Sequence, residues 1–189
     1  MKKFAILGGT FDPPHNAHIE IAKRALDQFS LSRVSFIPAG NPWHKEGNVS
    51  SYNHRFEMTK LLVNDLKYFE VSDIENDTSK PTYTIETLKK IENIENSYLI
   101  IGADVAINIR TWKNYEEIIE CTKILIAPRG GVTISELDEV FPGPYDLIKG
   151  KEVDLQSTSM RERFDEINSI EDMMPHKIYE YIRDNSLYK

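Results

Sequence analysis

Phe4-Ala5-Ile6-Leu7-Gly8-Gly9-Thr10-Phe11-Asp12-Pro13-Pro14-His15-Asn16-Ala17-His18 is the stretch whose reading decides the fold. Phe4 to Leu7 reads as a short buried strand, and Ile19 to Phe29 carries apolar residues at helical spacing (Ile19, Ala22, Leu26, Phe29). Between them lies a glycine-rich strand-to-helix turn. Such a turn aims backbone N–H groups and the positive end of a helix dipole at one point, where an anion docks. His15 and His18 sit at the mouth of the same helix, and imidazoles there can donate to phosphoryl oxygens. Gly8, Gly9, Thr10, Phe11, His15 and His18 are therefore candidates for holding a nucleoside triphosphate. A single histidine at a helix start is more often a cap or a solvated residue. Two of them, three positions apart behind this turn, favour the phosphate reading. Zinc on the same pair is the competing reading, but the lone Cys121 is distant and no H-E-x-x-H occurs. Neither the G-x-G-x-x-G fingerprint nor a G-x-x-x-x-G-K-[ST] P-loop is present.

The chain has 189 residues, 40% hydrophobic and 28% charged, which suits one soluble domain over 1–189. No apolar run approaches the roughly 20 residues of a membrane span. Met1-Lys2-Lys3 leads straight into a strand without a signal-peptide core, and one cysteine cannot form an internal disulfide. A cytoplasmic location is expected, with Cys121 in the core and no membrane contact. The net charge of −7 argues against a nonspecific nucleic-acid binder. It leaves room for an enzyme of anionic nucleotides, because the local field in the cleft decides that.

Strands and helices alternate along the chain. Strands are expected at Phe4–Leu7, Val34–Ile37, Phe69–Val71, Ser97–Ile101 and Lys123–Ala127. Helices are expected at Ile19–Phe29, Arg55–Leu66, Thr84–Ile91, Tyr115–Cys121, Thr158–Phe164 and Pro175–Asn185. This pattern predicts an α/β fold, a Rossmann-like, mainly parallel sheet with helices on both faces. Ligands of such sheets bind at the carboxyl ends of the strands, where strand order reverses.

Further candidates lie in the loops. His44 and Lys45 offer cationic donors in the loop after the second strand; a solvated loop explains them equally well. Arg55 reads as a buried ion pair, a cap or a ligand contact. Thr84 is a candidate N-cap. After the strand at Ser97, Gly102 would let a ligand approach the backbone, and the Asp104 carboxylate could accept hydrogen bonds from ribose hydroxyls. Trp112 offers a flat stacking face, or is a core or rim aromatic. Ser157 or Thr158 can cap a helix, with Arg161 one turn on.

Several of these segments together resemble a known family. Gly8 to His18 resembles the G-G-T-F-D-P-x-H-x-G-H signature of nicotinate-mononucleotide adenylyltransferases, with Ala17 in place of the box glycine. Asn41-Pro42-Trp43-His44-Lys45 resembles its P-x-P-H-K loop, and His54, Arg55 and Met58 its H-R-x-x-M element. Pro81 to Leu88 resembles P-S-Y-T-x-D-T-L, and Gly102, Asp104 and Trp112 a G-x-D…W segment. Gln156 to Arg161 resembles S-S-T-x-I-R, with Gln156 for the first serine. The resemblance implies transfer of the adenylyl group of ATP to nicotinate mononucleotide, giving nicotinate adenine dinucleotide and pyrophosphate. It implies His15 and His18 as catalytic residues, and Lys45, Ser157, Thr158 and Arg161 as triphosphate contacts. Tyr83, Thr84 and Trp112 would contact the pyridine nucleotide. Magnesium would be carried in with ATP. The amide mononucleotide and phosphopantetheine remain alternative acceptors, and a homo-oligomer is compatible with the sequence.

Overall fold

The structure, a computed structural model, describes residues 2–42, 49–152, 155, 157–162, 164 and 173–188. Its frame is one six-stranded sheet: β1 (Phe4–Gly9), β2 (Val34–Pro38), β3 (Phe69–Val71), β4 (Ser97–Gly102), β5 (Lys123–Ala127) and β6 (Asp146–Leu147). The order is β3-β2-β1-β4-β5-β6, and every neighbouring pair is parallel. The chain builds outward from β1 to β3, then restarts on the other side of β1 with β4. Strand order therefore reverses between β1 and β4, which creates a crevice at their carboxyl ends. The register sets Gly9 opposite Pro38 and Gly102 opposite Ala127, so those residues mark the edge of the crevice.

The period-two alternation of the strands makes two cores. Ala5, Leu7, Val34, Phe36, Tyr98, Ile100, Leu125 and Ala127 face one side. There α1 (Asn16–Gln28), α2 (Tyr52–Val63), α7 (Ser157–Glu162) and α8 (His176–Asp184) cover them, through residues such as Ala22, Met58, Met160, Ile178 and Ile182. Phe4, Ile6, Ile37, Leu99, Ile101, Ile124 and Ile126 face the other side. They meet α3 (Thr84–Leu88), α4 (Ala103–Ala106), α5 (Tyr115–Cys121) and α6 (Ile134–Val140) through Ile85, Leu88, Ala106, Ile118 and Leu137. Ile178 and Ile182 are both fully buried one helical turn apart. Each such side chain contributes about 1.5–3 kcal/mol, which holds a short helix that would be unstable alone.

The expected architecture is thus present, with differences at the element ends. Helix α1 begins at Asn16 rather than Ile19, because His15 takes the N-cap position with extended backbone. Helix α3 stops at Leu88 rather than Ile91, and its N-cap is Tyr83 rather than Thr84. Pro175 is the N-cap of α8 rather than a first-turn residue. Helices α4 and α6, a 3-10 turn at Ile109–Thr111 and strand β6 have no counterpart in the sequence reading. Cys121 is half-buried at the end of α5, not a core residue.

Candidate active site

The turn after β1 has a folded interior of its own. Phe11 adopts a left-handed φ of 52°, uncommon for a non-glycine residue, and its ring is buried. The ring packs edge-on against His18 at 4.9 Å and against Phe36 at 5.8 Å. A Cβ on Gly9 would come within 3.2 Å of that ring, which is why position 9 has no side chain. Gly8 is different: a Cβ there would meet no protein atom within 4 Å, and the residue is exposed. Phe11 can therefore serve a ligand through its main chain or by shaping His18, while Gly8 presents open backbone to the crevice.

The His15 and His18 rings lie against each other, centroids 3.8 Å apart and planes tilted by 33°. The main-chain N–H of His15 donates to Nδ1 of His18 at 3.2 Å. With Nδ1 an acceptor, the neutral His18 ring carries its proton on Nε2 and presents a donor there. His15 is 1% exposed, and neither of its ring nitrogens has a hydrogen-bond partner. Buried polar atoms without partners are costly, and they mark a place where a ligand can supply them. Burial first, then the charge of Arg129, pushes the His15 pKa down to about 3. Burial, then His15, then Arg129 hold His18 well below the usual histidine value. Both rings are neutral donors in the free chain. An incoming polyphosphate would oppose these effects and draw protons onto them.

The other wall of the crevice rises from β4 and β5. Gly102 is the N-cap of α4, and the Asp104 carboxylate together with the Arg129 side chain occupies the space a Cβ on Gly102 would fill. Glycine at 102 thus makes room for protein atoms, in addition to any ligand. Asp104 pairs with Arg129 at 3.4 Å through one oxygen, while its other oxygen is buried without a partner. Gly130 and Gly131 both have positive φ, and their N–H groups converge on the Glu152 carboxylate. This fixes the loop that carries Arg129. Sequence reasoning missed Arg129; the available signal was a cation just past the carboxyl end of a central strand, followed by two glycines.

The segment farthest away in sequence closes the site. The Ser157 hydroxyl donates to the Pro13 carbonyl at 2.9 Å, and Arg161 Nη1 donates to the Asp12 carbonyl at 2.7 Å. Arg161 Nη2 reaches the exposed Thr158 hydroxyl at 3.4 Å. The amino-terminal turn and the 157–161 corner therefore meet. Ser157 is the first residue of α7, and its hydroxyl is committed to the turn. Beneath them Arg55, 1% exposed, donates to the carbonyls of Ser50, Thr10 and Gly40. It ties the loops after β1 and β2 to the start of α2, where an ion pair, a cap or a ligand contact was expected.

On the second core face, Tyr83 and Trp112 are both half-buried against the same cluster. The Lys113 ammonium lies 4.3 Å from the centre of the Tyr83 ring and pairs with Glu86 at 2.6 Å. This joins the start of α3, with Thr84 as its first residue, to the Trp112 segment. His44 and Lys45 lie outside the described residues.

A parallel sheet with its switch point walled by a Gly-Gly turn, two neutral histidines and arginines from distant segments defines a nucleotidyltransferase. A family model described as cytidylyltransferase-like matches residues 6–180, and the chain belongs to that family. Within it, a Clostridium botulinum (strain Kyoto) protein is 39% identical, covering 98% of each chain; it is described as a probable nicotinate-nucleotide adenylyltransferase. A Clostridium tetani protein of the same description is 34% identical and covers both chains fully. The fold matches that of Plasmodium falciparum nicotinic acid mononucleotide adenylyltransferase complexed with NaAD. The TM-score is 0.83 at 22% identity, covering 100% of this chain and 98% of that one.

Proposed function

We infer that the chain transfers the adenylyl group of ATP to nicotinate mononucleotide, giving nicotinate adenine dinucleotide and pyrophosphate. The observation that carries the site assignment is the meeting of Ser157 and Arg161 with the carbonyls of Pro13 and Asp12, beside the histidine pair. One polyphosphate in the crevice would lie within reach of all of them. The named relatives support the acceptor.

The chemistry follows from what these groups can do. A phosphate oxygen of the mononucleotide attacks the α-phosphorus of ATP, and the bond to the bridging oxygen of pyrophosphate breaks. The nucleophile is already an anion near neutral pH, so no protein base has to remove a proton. Catalysis rests on positioning and on stabilising charge that moves toward the leaving group. His18 acts through Nε2–H on the α-phosphate and leaving pyrophosphate, and His15 supplies its unmatched ring donor to the triphosphate. Gly8, Gly9, Thr10 and Phe11 contribute main chain. Thr158, Arg161 and Lys45 hold the β and γ phosphates together with the main-chain N–H of Ser157, and Gly102 and Asp104 take the nucleoside. Tyr83, Thr84 and Trp112 form the acceptor side.

Magnesium enters as part of the ATP substrate and screens its phosphate charge. Among the described residues, no three histidine, cysteine or acidic side chains come together as a metal cage. Magnesium carried on ATP keeps several waters and binds mainly to phosphates. One nucleotidyltransferase domain over 1–189 is supported by the single sheet and its two cores. No helix among the described residues is long and apolar enough to cross a membrane; the cytoplasm is proposed as the site of action.

The test supplies ATP and magnesium with nicotinate mononucleotide, nicotinamide mononucleotide or phosphopantetheine in turn. Pyrophosphate release with the highest kcat/KM for the acid is expected. Preference for another acceptor would overturn the substrate assignment, and no release with any would overturn the reaction.

A further inference from the structure

The carboxylate of Asp12 is buried, at 1% exposure, within the turn that bears the candidate catalytic histidines. One oxygen accepts the main-chain N–H of Ser50 at 3.0 Å, from the loop leading into α2. The other accepts the phenol of Tyr188 at 2.6 Å, across 176 positions of chain. The same residue's carbonyl is the anchor of Arg161. Asp12 is thus gripped from three sides, and two of the three grips come from the last part of the sequence.

The tail that brings Tyr188 there is bent to do so. Ser186 and Tyr188 both have left-handed backbone, with φ of 52° and 65°. Non-glycine residues hold that conformation only when their surroundings over-determine it, and such residues cluster at functional sites. The Tyr188 ring packs edge-on against Phe164 and into the core under α2 and α8. Burial, reinforced by the neighbouring Asp12 charge, pushes the phenol far above its ordinary pKa, so it stays protonated and remains a donor. A charge-assisted O–H to carboxylate bond is short and strong.

We propose that Tyr188 is a positioning residue for adenylyl transfer: its phenol fixes Asp12, and through it the placement of Arg161 and the histidine turn. The proposal rests on the adenylyl-transfer reading. Its effect belongs to the ATP end of the site, since Tyr188 packs with the first core, whereas Tyr83 and Trp112 pack against the second.

The experiment compares Tyr188→Phe, which keeps the ring and loses the donor, with Ile182→Val, which loosens the same core and keeps the phenol. Kinetics are measured separately for each substrate, with melting temperature and calorimetric binding of a non-hydrolysable ATP analogue. Tyr188→Phe is expected to lower kcat/KM for ATP and analogue affinity about tenfold, with KM for nicotinate mononucleotide unchanged. Ile182→Val is expected to lower the melting temperature and leave the ATP kinetics intact. Should the unpaired carboxylate prevent Tyr188→Phe from folding, Asp12→Asn/Tyr188→Phe carries no such charge and is expected to show the same ATP defect. Unchanged ATP kinetics and analogue affinity in the folded variant, or an equal ATP defect in Ile182→Val, would overturn the proposal. A wild-type chain that binds the analogue without turnover would overturn the reaction, leaving the affinity comparison to decide the role of Tyr188. Wild-type chain that binds no analogue would overturn both.

Discussion

The main-chain N–H of His15 donates to Nδ1 of His18. That bond selects the Nε2–H form of His18 and holds its ring against Phe11 and the His15 ring. The helix start itself therefore orients the donor, without a carboxylate partner. Removing the ring should remove stabilisation that is realised mainly in the transition state. His18→Ala is expected to lower kcat by about 10²-fold or more, roughly 2.7 kcal/mol. Circular dichroism should show a folded chain. Turnover near that of the wild type would remove His18 from the chemistry.

Burial of the two histidines should also appear in the pH dependence of stability. The His15 pKa is about 3 in the folded chain against an ordinary 6.5, and His18 shifts in the same direction. Between those values the unfolded chain binds protons that the native chain does not. For His15 the contribution is therefore full above about pH 6.5 and is lost as pH falls toward about 3, by about 1.4 kcal/mol per pH unit, and His18 acts in the same direction. Urea unfolding at a series of pH values should show this decline. His15→Asn removes one of the groups and keeps a good N-cap residue, so its decline should be shallower. An identical slope would show that His15 is not buried in its neutral form.

Local features of this site were legible in the sequence, and non-local ones were not. The strand, the Gly-Gly turn and the helix behind it are adjacent in the chain, and the strand alternation that builds two cores needs no tertiary knowledge. The sequence pattern starts helix α1 three residues late because histidine is not among the favoured N-caps. Helix α6 escapes the sequence reading although Thr133 and Glu136 form a capping box and Ile134, Leu137 and Val140 recur every three residues, because seven residues are too few for that period to stand out. Strand β6 has two residues, too few for any period to register. Arg129 carries only a weak local signal, a cation between a strand end and two glycines; it matters because β5 lies beside β4, and only the strand order reveals that. The same holds for Arg55, whose three carbonyl partners come from the turn after β1 and from both ends of the loop between β2 and α2.

Arg55 gives a stability prediction separate from catalysis. Its planar fork satisfies three main-chain carbonyls in a buried position, which an ammonium cannot reproduce. Arg55→Lys should leave at least one of those carbonyls unmatched and cost about 2–4 kcal/mol. Chemical denaturation would register the loss as a lower midpoint. A midpoint equal to that of the wild type would mean that water or a shifted backbone replaces the fork.

Gly8 and Gly9 are neighbours with opposite reasons for being glycine. At Gly9 an added methyl meets the Phe11 ring at 3.2–3.4 Å, and that ring is locked between His18 and Phe36. Gly9→Ala should therefore destabilise the fold, by about 1–3 kcal/mol, as overpacking does. At Gly8 the methyl meets no protein atom, so Gly8→Ala should melt with the wild type. If the triphosphate lies along the open backbone there, the same methyl intrudes on it, and KM for ATP should rise about tenfold or more, roughly 1.4 kcal/mol of binding. Melting curves and ATP saturation curves for the two variants separate the cases. Unchanged ATP kinetics in Gly8→Ala would move the triphosphate away from the end of β1, and with it the assignment of His15.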